Sequence, residues 1–241
     1  MSNSIQPSPA TGIAEAGYVH GTLASVFDAQ FVEGPEWQQF TASWDNLRQD
    51  GYMADGGTYR ERRYSEFSYR ADTEQVTWLP HVAYSQPLYI NHLNGGIERH
   101  FEPFEQHVAE GPVLRSIFQW CAGTLARSVG AADWKIQTFQ NRILARGEEA
   151  GQPTPEGLHR DGVDHVLTLL IGRNSIEGGV SAVYDAESRD CLGEVLLSES
   201  GEFLFADDER LLHSVTPVTP AVPGVPGHRD VLIAMFTRTD S

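Results

Sequence analysis

Apolar residues recur every three to four positions between residues 104 and 129, and this spacing predicts the clearest helix of the chain. Gly111 and Pro112 fall inside the pattern and mark a point where the helix can divide. Gly130 follows the last apolar position and is well placed to end the helix. The apolar stripe consists of Val108, Val113, Leu114, Ile117, Phe118, Cys121, Leu125 and Val129.

Upstream of that helix, the pattern predicts one shorter helix between two strands. Residues 17–27 mix aromatic and apolar side chains and are expected to form a first strand. Pro35 suits a first helical turn, and large apolar residues follow it at three-to-four spacing, so we expect a helix over residues 36–48. Residues 58–69 alternate aromatic and charged side chains, as a strand does.

Downstream of Trp134 the pattern changes to short β-like runs separated by turn residues. The predicted strands cover residues 136–144, 165–171, 179–184, 194–197, 202–205, 211–215 and 231–237. Runs of this length and spacing are typical of a β-sandwich or jelly roll. Because the helices are concentrated in the first half of the chain, we expect a mainly β fold buttressed on one face by helices.

The chain divides into a short tail and one domain. Residues 1–16 are expected to form a flexible tail, whereas no linker or repeat interrupts residues 17–241, which we predict to be a single domain. Residues 1–11 lack the charged and apolar regions of a secretory signal, and no stretch is apolar enough to span a bilayer. We therefore expect a soluble, cytoplasmic protein.

The charge balance restricts the class of partner. The chain carries 17 basic and 33 acidic residues, for a formal net charge of −16, and Lys135 is its one lysine. Such a surface repels nucleic-acid phosphates and anionic membranes, so we expect neither as a partner. The two cysteines, Cys121 and Cys191, are far apart and form no zinc-ribbon pattern. A small-molecule substrate fits this composition better than a polymer.

The residues that suggest chemistry begin with His159 and Asp161. In an extended chain, residues two apart point to the same side, so both side chains can reach one metal ion. His213, in a predicted strand near the end of the chain, is the candidate third ligand. Two histidines and one carboxylate on one face of a metal leave positions for a co-substrate and dioxygen, an arrangement typical of non-haem iron(II) oxygenases.

Arginines supply candidate binding groups for carboxylates. Arg229 opens the last predicted strand, and its planar guanidinium suits the distal carboxylate of 2-oxoglutarate. Arg238, at the far end of that strand, is the alternative clamp, and Arg229 could instead pair with Asp230. Arg142 is a candidate for binding a substrate carboxylate, although a structural ion pair explains it equally well.

The order and context of these residues resemble the iron(II)/2-oxoglutarate dioxygenase superfamily, and more narrowly the bacterial group that includes free L-isoleucine hydroxylases. The resemblance extends over roughly residues 50–237. The matching stretches are Tyr59–Tyr64, Gln140–Ile143, Pro155–Asp164, Gly178–Ser181 and His228–Val231.

The resemblance implies a double-stranded β-helix, a cupin-like jelly roll, that uses Fe(II), 2-oxoglutarate and O2. His159, Asp161 and His213 would be the iron ligands, and Arg229 the 2-oxoglutarate clamp. The implied reaction hydroxylates an aliphatic C–H bond, with succinate and CO2 as co-products. Related halogenases lack the carboxylate ligand, so Asp161 favours hydroxylation. The implied substrate is a free L-amino acid such as isoleucine or leucine.

Several alternatives remain at this point. A cupin-like protein that binds a metal or ligand without turnover, or a zinc hydrolase or isomerase, would use the same three residues. His165 is a rival third ligand, but Gly162 is expected to bend the chain and leave it a structural histidine. The arginines of the Tyr59–Tyr64 stretch could gate the site, although a salt-bridged strand face is the more common role.

Overall fold

The computed structural model describes residues 8–93, 95–147 and 150–239, and the elements below belong to those residues. A short 3-10 turn, Ser43–Asn46, follows the fourth helix. The helices are α1 (Pro9–Ala16), α2 (Leu23–Val26), α3 (Ala29–Glu33), α4 (Pro35–Ala42), α5 (Gln106–Ala109) and α6 (Pro112–Val129).

The strands follow in chain order. They are β1 (Tyr18–Thr22), β2 (Arg48–Gln49), β3 (Arg60–Arg70), β4 (Gln75–Trp78), β5 (Asp133–Ala145), β6 (His165–Asn174), β7 (Ile176–Gly178), β8 (Val180–Asp185), β9 (Cys191–Leu196), β10 (Glu202–Asp207), β11 (Leu211–Val215), β12 (Val218–Pro220) and β13 (Gly227–Thr239).

Two antiparallel sheets form the body of the fold. The major sheet has the strand order β1-β10-β6-β13-β5-β3-β2, with β4 paired to β3, and the minor sheet has the order β11-β8-β9. A small pair, β12 and β7, joins them. Long crossovers between strands distant in sequence, such as β10 beside β1, are those of a jelly roll. The fold is therefore a jelly roll with flanking helices, as the sequence predicted.

Alternate side chains of the major sheet face two different regions, the core under the helices and the space between the two sheets. On β6, Leu167 and Leu169 face the helices and join the main hydrophobic core, whereas Val166 lines the space between the sheets. On α6, Phe118 is fully buried and its ring lies 6.2 Å from that of Phe236 on β13. Burying each such side chain against the helix-facing side of the major sheet contributes about 2–3 kcal/mol to the free energy of unfolding. This packing holds the helices against the major sheet.

The N-terminal segment corrects one prediction. Residues 1–16 were expected to be a flexible tail, but Pro9–Ala16 form α1, while residues 1–7 lie outside the described residues. The side chain of Ser8 accepts the N–H of Thr11 at the start of the helix, and Ile13 is 1% exposed in the core. Arg210 also donates to the Ile13 carbonyl at 3.3 Å. Burial of Ile13 thus holds α1 against the core.

Other element boundaries also differ from the prediction. The expected first strand ends at Thr22 and turns into α2. The helix expected over 36–48 ends as an α-helix at Ala42. The helix over 104–129 divides at Gly111, as its sequence indicated. Among residues 8–93, 95–147 and 150–239, no helix has the length and apolarity needed to cross a membrane.

Candidate metal centre

His159 and His213 are held side by side by backbone pairing. The N–H of His159 donates to the His213 carbonyl at 3.1 Å, and the N–H of His213 donates back at 2.8 Å. This antiparallel pair adds the segment around His159 to the edge of β11. Directly opposite residues project to the same side of a sheet, and the two imidazole centroids lie 4.5 Å apart.

Asp161 completes the cluster, as two-residue spacing predicted. Its carboxylate lies 3.5 Å from Nε2 of His213 and 3.9 Å from Nε2 of His159. One donor atom from each of the three residues lies within 4.8 Å of the others. Donor atoms each about 2 Å from one ion stand about 3–4 Å apart, so the cluster needs only small rotations to close on a metal.

A hydrogen bond orients the His159 ring for such a role. Its Nδ1 lies 2.9 Å from the carbonyl oxygen of Gly157. A carbonyl can only accept, so Nδ1 carries the proton and the lone pair of Nε2 points toward Asp161. Metal-binding histidines commonly have this outer partner, which fixes the tautomer.

A second carboxylate, Asp208, holds the loop that follows His159. Its side chain is fully buried and accepts the backbone N–H groups of Asp161, Gly162 and Val163 at 3.0, 2.7 and 3.1 Å. Its Oδ1 also lies 3.8 Å from Nδ1 of His213. Gly162 has a φ of +80°, and a Cβ there would lie 2.7 Å from Ile90. The sharp turn thus requires glycine.

Burial shifts the protonation of the cluster. Together with the nearby His159, it lowers the pKa of His213 to about 4. It also raises the pKa of the Asp161 carboxyl, although the proximity of His159 opposes that shift. His213 is therefore a neutral imidazole at neutral pH, the form that donates a lone pair to a metal.

Arg229 is the second predicted group that the structure brings to this site. It lies near the start of β13, is 2% exposed, and lines the same cavity as the three-residue cluster. Its Nε and Nη2 have no hydrogen-bond partner among the described residues. Burial, and then Arg173, lowers its pKa to about 10, so it remains charged at neutral pH. A buried guanidinium with two unpartnered N–H groups requires an anion.

Gly179 makes room for this arginine. It has a φ of +73°, and a Cβ there would lie 3.2 Å from Cδ of Arg229 and 3.2 Å from Nη1 of Arg173. Glycine at position 179 therefore leaves room for the Arg229 side chain beside the cavity.

The major sheet brings two further arginines to the cavity on β3, two strands from Arg229, at positions where the sequence favoured a salt-bridged strand face over gating of the site. Arg60 and Arg62, two apart on β3, both face the cavity, and each pairs with the buried Asp50, at 2.8 and 3.2 Å. Arg99 also lines the cavity, donates to Gln86 at 3.0 Å, and lies 4.7 Å from the Tyr84 ring. Their two-residue alternation was visible in the sequence, but Asp50 and the cavity face were not.

Glu156 is a further cavity residue that sequence analysis missed. It precedes His159 by three positions and accepts a hydrogen bond from Asn91 at 3.0 Å. Burial alone would raise the pKa of its carboxyl, but its own backbone N–H, His159 and Arg60 outweigh burial and hold that pKa below its usual value. The cavity, of about 100 Å³, therefore contains a carboxylate as well as arginines.

Arg142 corrects the proposed substrate contact. Its neighbours Asn141 and Ile143 line the cavity, so alternation along β5 turns Arg142 to the other face. There its guanidinium donates to both carboxylate oxygens of Asp230 at 2.8 Å and to Asp45 at 3.1 Å. Arg142 is a structural ion pair and does not contact the site.

The two remaining alternatives also lie away from the cluster. His165 faces the helical side of β6, with its ring 5.9 Å from that of Trp134. Arg238 lies over the same indole at 5.5 Å and donates to the Val129 carbonyl. Neither lines the cavity that contains His159 and Arg229.

Comparison with known proteins agrees with this geometry. The profile of the 2OG-Fe dioxygenase family matches residues 41–235. No functionally curated protein has a matching sequence. The crystal structure of a bsmA homolog from Methylobium petroleophilum PM1 is 30% identical, with a TM-score of 0.85 over 96% of this chain and 92% of that chain.

Two further solved structures share the fold at lower identity. IDO from Bacillus thuringiensis is 20% identical, with a TM-score of 0.79 over 100% of this chain and 98% of that chain. The Fe(II)/α-ketoglutarate-dependent dioxygenase TqaL is 17% identical, with a TM-score of 0.70 over 96% of this chain and 86% of that chain. The chain therefore belongs to the 2OG-Fe dioxygenase family, whose members use Fe(II), 2-oxoglutarate and dioxygen.

Proposed function

We propose that this dioxygenase hydroxylates an aliphatic C–H bond of a free L-amino acid such as isoleucine or leucine. The observation that carries the proposal is one cavity that is lined by a His-Asp-His cluster, an unpartnered arginine and side chains of both charges. Each of these features accounts for one reactant.

The metal fits the donor set of the cluster. Nε2 of His159, the carboxylate of Asp161 and Nε2 of His213 would hold Fe(II), since two imidazoles and one carboxylate on one face leave open positions. Iron bound there would supply the oxidation of 2-oxoglutarate to succinate and CO2 that drives C–H hydroxylation. The chain itself fixes the ligand geometry through Gly157 and Asp208.

Arg229 would hold the distal carboxylate of 2-oxoglutarate. Its unpartnered Nε and Nη2 can donate two parallel hydrogen bonds, the bidentate geometry that a planar guanidinium gives a carboxylate. The positive charge of Arg173 nearby adds to the attraction for a dianion. Val231 and Ile233, next on the same strand face, would cover the methylene groups.

Charged side chains would bind both the carboxylate and the ammonium group of the substrate. Arg60 and Arg62 share the single carboxylate of Asp50, so one positive charge remains for a substrate carboxylate, and Arg99 adds another. The carboxylate of Glu156 would accept hydrogen bonds from the substrate ammonium group. Apolar walls between these groups, including Phe139 and Met235, suit an aliphatic side chain and exclude water from it.

A substrate panel tests this assignment. Protein loaded with Fe(II) and 2-oxoglutarate would be given L-leucine, L-isoleucine, their methyl esters and their des-amino acids, with succinate and oxygenated product measured. We expect succinate release and gain of one oxygen atom with a free amino acid only. Succinate formation that no amino acid stimulates would refute the substrate assignment while leaving the family's activity in place.

A variant pair tests the ammonium contact. Glu156→Gln removes the charge and should raise KM for the amino acid about 10- to 100-fold, because a charged hydrogen bond contributes about 1.5–3 kcal/mol. KM for 2-oxoglutarate should not change. Glu177→Gln, at an exposed carboxylate on β7, is the control. An unchanged amino-acid KM in Glu156→Gln would remove this residue from substrate recognition.

A further inference from the structure

A second set of cavities leads away from the metal centre on the side opposite the main cavity. Val166, Thr168, His213 and Val215 line the main cavity and also a small inner cavity of about 20 Å³. Ser181 and Leu204 line this inner cavity and also an outer one of about 200 Å³. The three cavities are therefore contiguous, and His213 borders the junction.

Strand register places these cavities in one row between the two sheets. On the major sheet, Ile233, Thr168, Leu204 and His20 are directly paired neighbours on successive strands. Paired residues of neighbouring strands project to the same face, so this row forms one wall from the main cavity to the edge strand β1.

The minor sheet forms the facing wall. There His213 pairs with Val183, which pairs with Gly193 on the edge strand β9. Two strand spacings of about 5 Å separate the candidate iron ligand from the edge, a path of about 10 Å. The passage is thus short and crosses the strands of both sheets.

The outer end is bounded by polar groups. The hydroxyl of Tyr18 donates to the Leu192 carbonyl at 3.2 Å and so joins the two edge strands. Exposed Glu194 also borders the outer cavity. Nε2 of His20 and Oγ of Ser181 are buried there with no partner among the described residues. Such groups require water, so the outer cavity is a hydrated vestibule.

The inner end is narrow and mostly apolar. Leu204, Val166 and Ala206 are 6%, 5% and 7% exposed and enclose it together with Val215. A volume of about 20 Å³ exceeds the roughly 10–15 Å³ that one water molecule needs, and it is too small for a dicarboxylate or an amino acid. Only a small molecule passes, and the walls favour a neutral one.

We propose that these cavities form a passage, with Leu204 between the inner and outer cavities, that admits dioxygen to the metal centre while the main cavity is filled by 2-oxoglutarate and substrate. The inference rests on the family's use of dioxygen and not on the identity of the substrate. It makes Leu204 a specificity-determining wall residue that touches none of the proposed ligands.

Xenon binding tests the passage without any metal or turnover. Crystals of the metal-free protein under xenon pressure should contain xenon beside Leu204 and Val166, because xenon occupies small apolar cavities. Leu204→Phe should remove that site. Absence of xenon from the wild-type inner cavity would overturn the proposal, since an inner cavity closed to a small apolar atom does not admit dioxygen.

Kinetics test the same passage in the loaded enzyme. Turnover of 2-oxoglutarate would be followed over a range of dioxygen concentrations. Leu204→Phe should raise KM for dioxygen several-fold while Kd for 2-oxoglutarate and for the metal stays unchanged, and Leu204→Ala should leave KM for dioxygen at or below the wild-type value. Leu167→Phe enlarges a leucine on the opposite face of β6 and should leave KM for dioxygen unchanged.

The two measurements separate the possible failures. An unchanged dioxygen KM in Leu204→Phe, in protein whose xenon site is lost, would overturn the proposed route. If wild type turns over no 2-oxoglutarate at all, the proposed function fails, and the xenon result alone decides whether the passage exists.

Discussion

The buried carboxylate of Asp208 accepts the backbone N–H of Asp161 at 3.0 Å, although the two residues are 47 positions apart. The same carboxylate accepts the next two N–H groups of that loop and lies 3.8 Å from His213. One side chain therefore links the segment that carries His159 and Asp161 to the strand that carries His213. This link connects the folding of the jelly roll to the geometry of the metal centre.

Asp208→Asn should weaken metal binding. The amide retains one acceptor oxygen but presents an NH2 group to backbone donors, so the loop should lose at least one hydrogen bond. Loss of such outer partners typically costs about 10- to 100-fold in metal affinity. Titration with Mn(II) or anaerobic Fe(II), by calorimetry, measures the change. Asp190→Asn, at an exposed turn, is the control, and equal affinities in the two variants would contradict the prediction.

Arg229→Lys should weaken binding of 2-oxoglutarate. Lysine retains the positive charge but cannot donate the two parallel hydrogen bonds that Nε and Nη2 offer. We expect Kd for 2-oxoglutarate to rise about tenfold or more, with metal affinity unchanged. Calorimetric titration of the metal-loaded protein gives both constants. An unaltered Kd would show that another cation holds the co-substrate.

Arg142→Gln should reduce stability and leave substrate affinity unchanged. The pair with Asp230 is part-buried, so removing one partner should cost about 1–3 kcal/mol of unfolding free energy, between the values for exposed and fully buried pairs. Urea denaturation measures this loss, and Asp45→Asn, at the exposed end of the cluster, should cost less than about 1 kcal/mol. A raised substrate KM in stably folded Arg142→Gln would restore its proposed binding role.

Asp50→Asn should destabilise the protein in a pH-dependent way. Burial raises the pKa of Asp50, but Arg62 and Arg60 outweigh it and hold that pKa below 3.8. A carboxyl whose pKa is lowered in the folded state stabilises the fold when the pH is above the carboxyl's ordinary pKa. This stabilisation is lost as the pH falls through the lowered pKa. We expect a difference of about 3 kcal/mol at pH 7.

Urea denaturation at several pH values checks this prediction. The difference in unfolding free energy between wild type and Asp50→Asn should be full above pH 4 and should shrink below about pH 3.8. A difference that stays constant down to pH 2.5 would mean that the Asp50 charge contributes nothing to stability.

Local pattern was sufficient for the elements with a strong period. The stripe on α6 and the run that became β6 were both predicted, because one face of each is apolar and buried. The α1 helix was not, since eight residues with one buried isoleucine carry too weak a signal. Tertiary contacts with Arg210 and the core determine its structure.

The site was predictable only in part. His159, Asp161 and His213 could be grouped because strand geometry places residues two apart on one side, and the structure brings them together. Which face of β5 meets the cavity could not be read from the sequence, and that uncertainty produced the wrong assignment of Arg142. Glu156 and Asp208 act through distant partners, so no local spacing identified them.

The most direct test of the account is succinate formation by protein loaded anaerobically with Fe(II) and then given 2-oxoglutarate, oxygen and pooled L-amino acids. Wild type would be compared with His159→Ala and Arg229→Ala. We expect wild type to form succinate at a rate that one of the amino acids increases. We expect both variants to form none. No turnover of 2-oxoglutarate by iron-loaded wild type, coupled or uncoupled, would contradict the account and favour a zinc enzyme or a ligand-binding cupin.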